Sequence, residues 1–386
     1  MPQNAIVFVG NSITDMHPWI EAFGNDPRIV NRGCSGAVSS EILENMDGWL
    51  SAKPSKVFLM IGTNDLGWDS TAESVVKNIT TIVTRIREES PSTEIYLQSV
   101  LPARDQRNRS LKTICEVNER LNFLAENTEN TTYINLYDKL IGIIDREPFS
   151  LDQLHLEAFG YKVWCETIAP WVGIPCNYPS STKVEQQTGG LAAANGMRAS
   201  YFSMLPIESE DILFFGDEMV KCGEWNELLH NPHLKNRGTS WGYGGDIATT
   251  SKMIEVTLRS PYASQRATQP KKIIIYTGTD DILASKPIEE IEQDYQKMVE
   301  RVKELTPKCD IAIVGLLPRN DGNKNVYAFN NWLKRYASQD ERLTFISTEK
   351  MANSKGVAKK QFIQNNYLYS KGYQVLAKEL SGFVNK

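Results

Sequence analysis

Residues 5–11 read AIVFVGN, and residues 211–217 read DILFFGD. In both stretches a run of apolar residues ends at a glycine, a pattern typical of a buried strand that is followed by a sharp turn. Further motifs match in the same order along the chain, at separations of about 205 to 216 residues. The chain of 386 residues is therefore predicted to contain two copies of one folding unit.

The matching motifs extend over the whole of both copies. The pairs are VNRGCSG and KNRGTSW, VFLMIGTND and IIIYTGTDD, SVLPAR and GLLPRN, TYINL and TFIST, and AFGYKV and YSKGYQV. The spacing from Asn118 to Tyr161 equals the spacing from Asn330 to Tyr373. Because chance similarity does not keep register over such a length, the sequence indicates a tandem duplication.

Each copy contains five short apolar runs separated by segments of helical length. The predicted strands are Ala5–Val9, Arg28–Asn31, Lys56–Ile61, Glu94–Val100 and Thr132–Leu136, then Ile212–Phe215, His233–Asn236, Lys271–Tyr276, Asp310–Val314 and Leu343–Ile346. Apolar residues recur at helical spacing in Ala72–Glu89 and Leu111–Glu126. This alternation predicts a parallel sheet with helices on both faces, and sites at the carboxyl ends of the strands.

The predicted units are residues 1–176 and 201–386. The intervening segment, residues 177–200, is polar, rich in Gly, Ser and Thr, and without a sustained period. That composition predicts a linker.

The amino-acid composition limits the kinds of molecule that the protein is expected to bind. Apolar residues make up 41% of the chain and the net charge is −5, so the sequence lacks the basic character of proteins that bind nucleic acid or anionic membranes. No apolar run reaches the ~20 residues of a membrane-spanning helix. The given sequence begins directly with a predicted strand. Two alternatives for the compartment therefore stay open: the cytoplasm or, if a leader was removed, a secreted or periplasmic location.

Neither a metal site nor a disulfide framework is predicted. The six cysteines are scattered without metal-ligand spacing. His230 and His233, in the stretch HNPH, lack an acidic neighbour in the sequence, which favours a polar turn over a metal site. No cofactor is expected.

Four polar motifs of the first copy fall at predicted strand ends or loops. Gly10-Asn11-Ser12 places a serine at the start of a helix, either as an N-cap or as an exposed hydroxyl. The N–H groups of Ser12 and Gly36 and the side-chain amide of Asn64 are donors of the kind that acyl transfer needs for its oxyanion. Asp152 and His155 lie three residues apart, so the carboxylate can hold one ring nitrogen while the other faces a serine.

Taken together, Gly-Asn-Ser, the last glycine of NRGCSG, GTND and DQLH resemble the four motif blocks of the SGNH or GDSL-type hydrolases, over essentially all of residues 1–174. The resemblance implies a flavodoxin-like α/β/α fold with three layers and a five-stranded parallel sheet in each copy. It also implies metal-free ester hydrolysis, with Ser12 as nucleophile, His155 as base and Asp152 as its orienting partner. Ser12, Gly36 and Asn64 are the implied oxyanion donors. Asn11 stands where the family commonly has Asp and is interpreted as a structural part of the turn.

The second copy departs from this pattern at every reactive position. The corresponding residues are Glu218, Trp241, Asp280, Gln364 and Tyr367. Because loss of the serine or the histidine alone costs about six orders of magnitude in a serine hydrolase, the second copy is predicted not to hydrolyse esters. Three interpretations stay open: a duplicate retained for stability or an interface, an acidic and aromatic pocket for sugar hydroxyls or a cation, and a pair of carboxylates of the glycosidase type.

Within the family, the short GNSIT and GTND forms look most like the platelet-activating-factor acetylhydrolase-like and carbohydrate O-acetylesterase branches. The expected substrate is therefore a small-molecule acetyl ester of a sugar, such as a sialic acid or another glycan. The alternatives are a lysophospholipase or thioesterase and, in another class, a glycan-binding protein without catalysis. Trp19, Trp68 and Arg104 lie near the motifs in sequence and are predicted to shape the pocket. The oligomeric state is not predicted.

Overall fold

The computed structural model describes residues 1–104, 107, 109–143, 152–180, 187–191, 193–240, 245–260 and 269–386. The chain divides into two compact units, Met1–Gln186 and Gln187–Lys386.

The described part of the first unit holds a parallel sheet of five strands in the order β2-β1-β3-β4-β5. The strands are β1 Ile6–Gly10, β2 Ile29–Gly33, β3 Lys56–Met60, β4 Glu94–Gln98 and β5 Thr131–Ile134. The helices are Ser12–Asp15, Trp19–Ala22, Ser39–Asn45, Asp47–Leu50, Thr63–Gly67, Ala72–Glu89, Leu111–Glu126, Tyr137–Leu140 and Ala158–Val172.

The sheet of the second unit, in the residues that are described, has five parallel strands in the corresponding order β10-β9-β8-β6-β7. They are β6 Ile212–Gly216, β7 Leu234–Gly238, β8 Lys272–Tyr276, β9 Asp310–Val314 and β10 Leu343–Ile346, and a hairpin joins β11 Ile363–Gln364 to β12 Tyr367–Leu368. The helices are Ala193–Phe202, Glu218–Lys221, Trp225–Leu228, Ile247–Leu258, Thr279–Leu283, Ile288–Leu305, Lys324–Ala337 and Ser370–Val384, with a 3₁₀ turn at Glu349–Met351. The predicted fold class, two flavodoxin-like α/β units each with a parallel sheet, is confirmed.

Burial on both faces explains the apolar run of β1. Val7 and Val9 belong to one core cluster, which also contains Ile79 of the helix Ala72–Glu89. On the opposite face the ring of Phe8 stacks on Trp19, with ring centroids 4.2 Å apart. Since alternate residues of a strand point to opposite faces, a central parallel strand needs apolar residues at every position.

Glycines at the strand ends allow a close approach of two chains. A Cβ atom at Gly10 would overlap the backbone oxygen of Met60, and one at Gly216 would overlap the backbone oxygen of Tyr276. In both units the first strand therefore turns directly against its neighbour, which brings the strand tips together.

One part of the predicted linker, residues 177–200, is helical. Residues 193–200 lie in the helix Ala193–Phe202 of the second unit. Arg198 is buried, its Nε donates to the carbonyl of Gly238 at 2.8 Å, and its guanidinium lies 5.0 Å from the ring centroid of Phe202. Among the described residues, no helix combines the length and apolar character of a membrane crossing.

Candidate active site

Ser12 is the first residue of the helix that follows β1. The helix is capped by Asn11, whose Oδ1 accepts a hydrogen bond from the N–H of Ile13 at 3.0 Å. Asn11 therefore fills the capping role, and the interpretation of this residue as a structural part of the turn agrees with its geometry. The hydroxyl of Ser12 is directed elsewhere, and its Oγ lies 2.8 Å from Nε2 of His155.

His155 is held by the carboxylate of Asp152. Nδ1 of His155 lies 2.6 Å from Oδ2 of Asp152. The other carboxylate oxygen accepts hydrogen bonds from the backbone N–H groups of His155, at 2.8 Å, and Leu154, at 3.1 Å. Gln153 takes a left-handed backbone conformation with φ of 61°. The segment thus folds around one carboxylate, which fixes the orientation of the imidazole ring.

The charge of Asp152 suits this arrangement. Burial raises the pKa of Asp152, but the hydrogen bond and charge attraction from the His155 ring, together with the two backbone N–H groups, outweigh burial and hold the pKa well below its usual range. Asp152 is therefore ionised at neutral pH. An ionised carboxylate on Nδ1 favours the tautomer in which Nδ1 carries the proton and Nε2, which faces Ser12, can accept a hydrogen bond.

A loop and a short helix carry the predicted donors Gly36 and Asn64. Gly36 has a left-handed φ of 86°, and a Cβ atom there would meet no neighbour within 4 Å, so its backbone is accessible. Asn64 is buried, and its Nδ2 donates to the carbonyl of Ala37 at 3.0 Å. A side-chain amide has two N–H groups, and this bond uses one of them. The bond also joins the helix Thr63–Gly67 to the loop that contains Gly36.

Two further residues, which the sequence reasoning did not single out, fix the helix Ser12–Asp15 to the Gly36 loop. The hydroxyl of Ser35 donates to the carboxylate of Asp15, which ends the helix Ser12–Asp15. Ser35 belongs to the NRGCSG motif, but Asp15 lies 20 positions earlier outside the quoted motifs, so no sequence signal paired the two.

The buried Arg109 was also missed by the sequence reasoning. Its Nη1 donates to the hydroxyl of Thr63 at 3.1 Å, and a side chain at Gly67 would overlap its guanidinium. Arg109 thus supports the helix Thr63–Gly67, which carries Asn64.

The prediction that Trp19 shapes the pocket is wrong. Its side chain is 1% exposed, packs on Phe8, and donates its indole N–H to the carbonyl of Thr14 at 2.8 Å. Trp68, in contrast, is 54% exposed directly after the helix Thr63–Gly67. Arg104 is exposed, and its backbone N–H donates to the carbonyl of Gln153 at 3.0 Å, next to Asp152.

The positions of the second unit that correspond to the active site are only partly assembled. Glu218, Asp280 and Tyr367 line one cavity of about 450 Å³. Gln364 is exposed, and its amide donates to the carbonyl of Lys360 at 3.1 Å. Trp241 lies outside the described residues.

Asp217 takes the place of Asn11 in the second unit. Its Oδ1 accepts a hydrogen bond from the N–H of Met219 at 2.8 Å, as Asn11 does from Ile13. Burial raises the pKa of Asp217 to about 8; the N–H of Met219 opposes this rise, and the charges of Glu218 and Asp280 add to it. A carboxyl group at this position is therefore largely protonated at neutral pH.

The expectation that HNPH has no acidic neighbour is wrong. Nδ1 of His233 lies 3.1 Å from Oδ1 of Asp211 and 3.9 Å from Oε2 of Glu208. Asp211 and His233 immediately precede β6 and β7, which pair in register, so the fold brings them together. These three side chains could hold a cation, but Oδ2 of Asp211 lies 2.8 Å from Nζ of the buried Lys235. The ammonium group of Lys235 would compete with a bound cation for this carboxylate oxygen. We therefore interpret Asp211 and Lys235 as a buried ion pair and not as part of a metal site.

Residues 8–163 and 222–375 match the model of the GDSL-like lipase/acylhydrolase family. The two regions make up more than half of the chain, which therefore belongs to this family of carboxylic ester hydrolases, and the resemblance seen in the motifs is confirmed. The first region contains Ser12, Gly36, Asn64, Asp152 and His155. The second begins after Glu218.

The matches to individual proteins have low sequence identity and cover less than half of this chain. The chain is 30% identical over 147 residues to the platelet-activating factor acetylhydrolase IB subunit alpha2 of Homo sapiens, which covers 37% of this chain and 56% of that protein. It thus spans about half the length of the curated relatives it matches. Among solved structures, a protein of Streptococcus pneumonia described as a platelet activating factor is 31% identical with a TM-score of 0.41, covering 45% of this chain and 85% of that one. A mutant acetylxylan esterase of Geobacillus stearothermophilus is 16% identical with a TM-score of 0.37, covering 45% and 95%.

Proposed function

We propose that the first unit hydrolyses short-chain carboxylic esters, acetyl esters above all, with Ser12 as the nucleophile. The observation that carries this proposal is the continuous line from Ser12 Oγ to His155, at 2.8 Å, and from His155 to Asp152, at 2.6 Å. A serine aligned with a base that is itself oriented by a carboxylate is the arrangement that activates a hydroxyl at neutral pH.

In the proposed reaction, Nε2 of His155 takes the proton of Ser12 while Oγ bonds to the acyl carbon. The ionised Asp152 stabilises the imidazolium that forms. His155 then gives the proton to the departing alcohol oxygen as the carbon–oxygen bond of the ester breaks. Water enters and loses a proton to His155 as its oxygen bonds to the acyl carbon. His155 returns this proton to Oγ of Ser12 as the bond between Oγ and the acyl carbon breaks, which releases the acid.

The negative charge of the tetrahedral intermediate needs convergent N–H donors. We assign this role to the backbone N–H groups of Ser12 and Gly36 and to the amide of Asn64. The N–H of Ser12 belongs to the first turn of its helix, where backbone donors have no partner within the helix. Each such donor is typically worth about 3–4 kcal/mol of transition-state stabilisation.

The acyl group and the alcohol are proposed on different grounds. The name of the curated relative, an acetylhydrolase, supports a small acyl group. The exposed indole of Trp68, four residues after Asn64, offers a flat apolar face on which a sugar ring can pack, and it supports a carbohydrate alcohol.

The test is a series of 4-nitrophenyl esters from acetate to octanoate, followed by acetylated mono- and oligosaccharides. We expect turnover to fall with acyl length, and Ser12→Ala to abolish it without shifting the thermal midpoint. Activity that rises with acyl length would identify a lysophospholipase or thioesterase instead. Absence of turnover on every ester would favour a glycan-binding protein.

A matched variant tests the alcohol. Trp68→Ala should raise KM for an acetylated oligosaccharide while leaving kcat/KM for 4-nitrophenyl acetate unchanged, because only the larger substrate reaches the indole. Equal effects on both substrates would contradict a role for Trp68 in binding the sugar.

A further inference from the structure

The second unit keeps an open cavity where the first unit has its active site. The cavity, of about 450 Å³, lies at the carboxyl ends of the strands, and Glu218 stands in it at the position that corresponds to Ser12. This volume is that of a pocket for a small molecule. A duplicate that served stability alone would gain by filling the space with apolar side chains, because unfilled volume costs packing energy.

The rim of the cavity is formed by a hairpin that stands in place of the Asp152–His155 segment. Its turn residues Asn365 and Asn366 both have left-handed φ, of 50° and 66°, which is the conformation of a tight two-residue hairpin turn. The N–H of Asn320 donates to Oδ1 of Asn366 at 2.9 Å, and the N–H of Asn366 donates to Oδ1 of Asn320 at 2.8 Å. The rim is therefore tied down without a ligand, which lowers the free-energy cost of binding one.

The charges in the cavity are mostly negative. Among the described lining residues, the acidic side chains are Asp217, Glu218 and Asp280, and the basic one is Arg319. Because its raised pKa keeps Asp217 largely protonated at neutral pH, the negative charges are those of Glu218 and Asp280. Nε of Arg319 lies 3.3 Å from the carboxylate of Asp321, which offsets part of its charge.

A neighbouring tyrosine responds to the same charge. Burial raises the pKa of Tyr367, and the negative charge of Glu218 raises it further, with Asp280 contributing. The potential inside the cavity thus disfavours an anion and, equally, the oxyanion of an ester intermediate.

Aromatic side chains complete the lining. Tyr276, Tyr367 and Tyr373 face the cavity, and the hydroxyl of Tyr373 donates to the carbonyl of Met219 at 3.1 Å. Aromatic faces beside carboxylates attract an organic ammonium group, because the ring quadrupole and the carboxylate charge act in the same direction.

We propose that this cavity binds a small organic cation, an amine of about the size of a monosaccharide, with Glu218 and Asp280 as its counter-charges. A neutral sugar would form hydrogen bonds with the hydroxyl and amide groups that line the cavity. It would, however, cover the carboxylates of Glu218 and Asp280 without compensating their negative charge. A cation compensates both. The ligand would be bound and not converted, so the site is independent of the ester hydrolysis proposed for the first unit.

The test uses the full chain carrying Ser12→Ala, titrated by calorimetry at low salt with D-glucosamine and choline, and with D-glucose as the neutral counterpart of glucosamine. We expect the two amines to bind at least tenfold more tightly than glucose. Glucose binding as tightly as glucosamine would overturn the proposal. So would the absence of amine binding up to about 10 mM, a range in which a dissociation constant near 1 mM is measurable.

Isosteric variants locate the site. Glu218→Gln and Asp280→Asn should each weaken amine binding at least tenfold, and Asp280→Asn places there the residue that the first unit has as Asn64. Asp310→Asn, which removes an exposed acid at the first residue of β9, away from the carboxyl ends of the strands where the cavity lies, is the control and should leave binding within twofold. Unchanged thermal midpoints show that the variants fold. Retained affinity in both Glu218→Gln and Asp280→Asn would contradict binding in this cavity.

Discussion

The two units differ in their reactive groups but share the hydrogen bonds that hold their strand ends. Asn118 binds both backbone groups of Val100, at 2.8 and 3.0 Å, and Asn330 binds both backbone groups of Leu316, at 2.7 and 2.9 Å. The indole N–H groups of Trp19 and Trp225 each donate to the carbonyl of the residue five positions earlier in the chain. The hydroxyls of Tyr161 and Tyr373 each donate to the carbonyl of the second residue in the helix that follows the first strand of the unit. The contacts that form the frame were retained after duplication, while the groups that would react with an ester were replaced.

The asparagine of the Asn-Arg-Gly motif behaves in the same way. In the first unit the side chain of Asn31 accepts from the N–H of Gly33 at 2.9 Å, and in the second Asn236 accepts from Gly238 at 2.9 Å. A motif shared by both copies therefore need not be catalytic. Comparison of the copies separates the two roles: shared side chains hold the turn, and unshared side chains are those that we propose to carry the chemistry.

The largest expected effect separates the two units by activity. Ser12→Ala should lower hydrolysis of 4-nitrophenyl acetate by about 10⁶-fold, because the nucleophile is lost. The matched change, Glu218→Ala, should leave turnover within a few-fold. A tenfold or greater loss in Glu218→Ala would show that the second unit takes part in hydrolysis.

A smaller loss is expected from the residue that orients the base. Asp152→Asn should lower kcat by about 10²- to 10⁴-fold, since the amide no longer stabilises the imidazolium or fixes the tautomer. The corresponding residue Gln364 points its amide at a backbone carbonyl, and Gln364→Ala should have no measurable effect. Equal activity of Asp152→Asn and the unaltered chain would remove Asp152 from the mechanism.

The third prediction concerns pH and stability. The raised pKa of Asp217, about 8, means that the folded state keeps a proton that the unfolded state, with an ordinary carboxyl pKa of 3.8, has lost. The stability contributed by this group is therefore fully present below pH 3.8 and is lost as the pH rises to about 8, at up to about 1.4 kcal/mol per pH unit.

Asp217→Asn, which installs the residue found at Asn11, should flatten this fall. The measurement is the free energy of unfolding in urea at a series of pH values, with the exposed Asp321→Asn as control. An unchanged slope in Asp217→Asn would show that Asp217 ionises normally in the folded protein.

The smallest effect should be the same in both units. Asn118→Ala and Asn330→Ala each leave two buried backbone groups without their side-chain partner, at a cost of about 1–3 kcal/mol. Urea unfolding followed by circular dichroism measures both. If only Asn118→Ala were destabilising, the second unit would not depend on the shared frame.

Much of the fold was predictable because local signals agreed with the global pattern. The helix Ala72–Glu89 begins and ends where predicted, since Thr71 caps it through the N–H of Ser74 at 3.1 Å and its apolar residues recur on one buried face. The strands begin and end within two residues of prediction.

The remaining differences come from contacts that depend on tertiary structure. Nearness in sequence did not reveal on which face of the sheet Trp19 lies, and it is a core residue. Asp211 reaches His233 only because β6 and β7 start side by side. The order of the motifs was enough to predict that Ser12, His155 and Asp152 meet. The hairpin β11–β12, which stands in place of the Asp152–His155 segment, was not predicted because so short a stretch shows no periodic pattern.

That hairpin has a consequence for protein engineering. Its two strands pair with each other and its turn is fastened through Asn320, while the five parallel strands of the unit pair among themselves. It can therefore be exchanged as a cassette. Libraries varied at Asn365 and at the exposed Tyr367 would sample new ligand preferences while the parallel sheet that supports them stays intact.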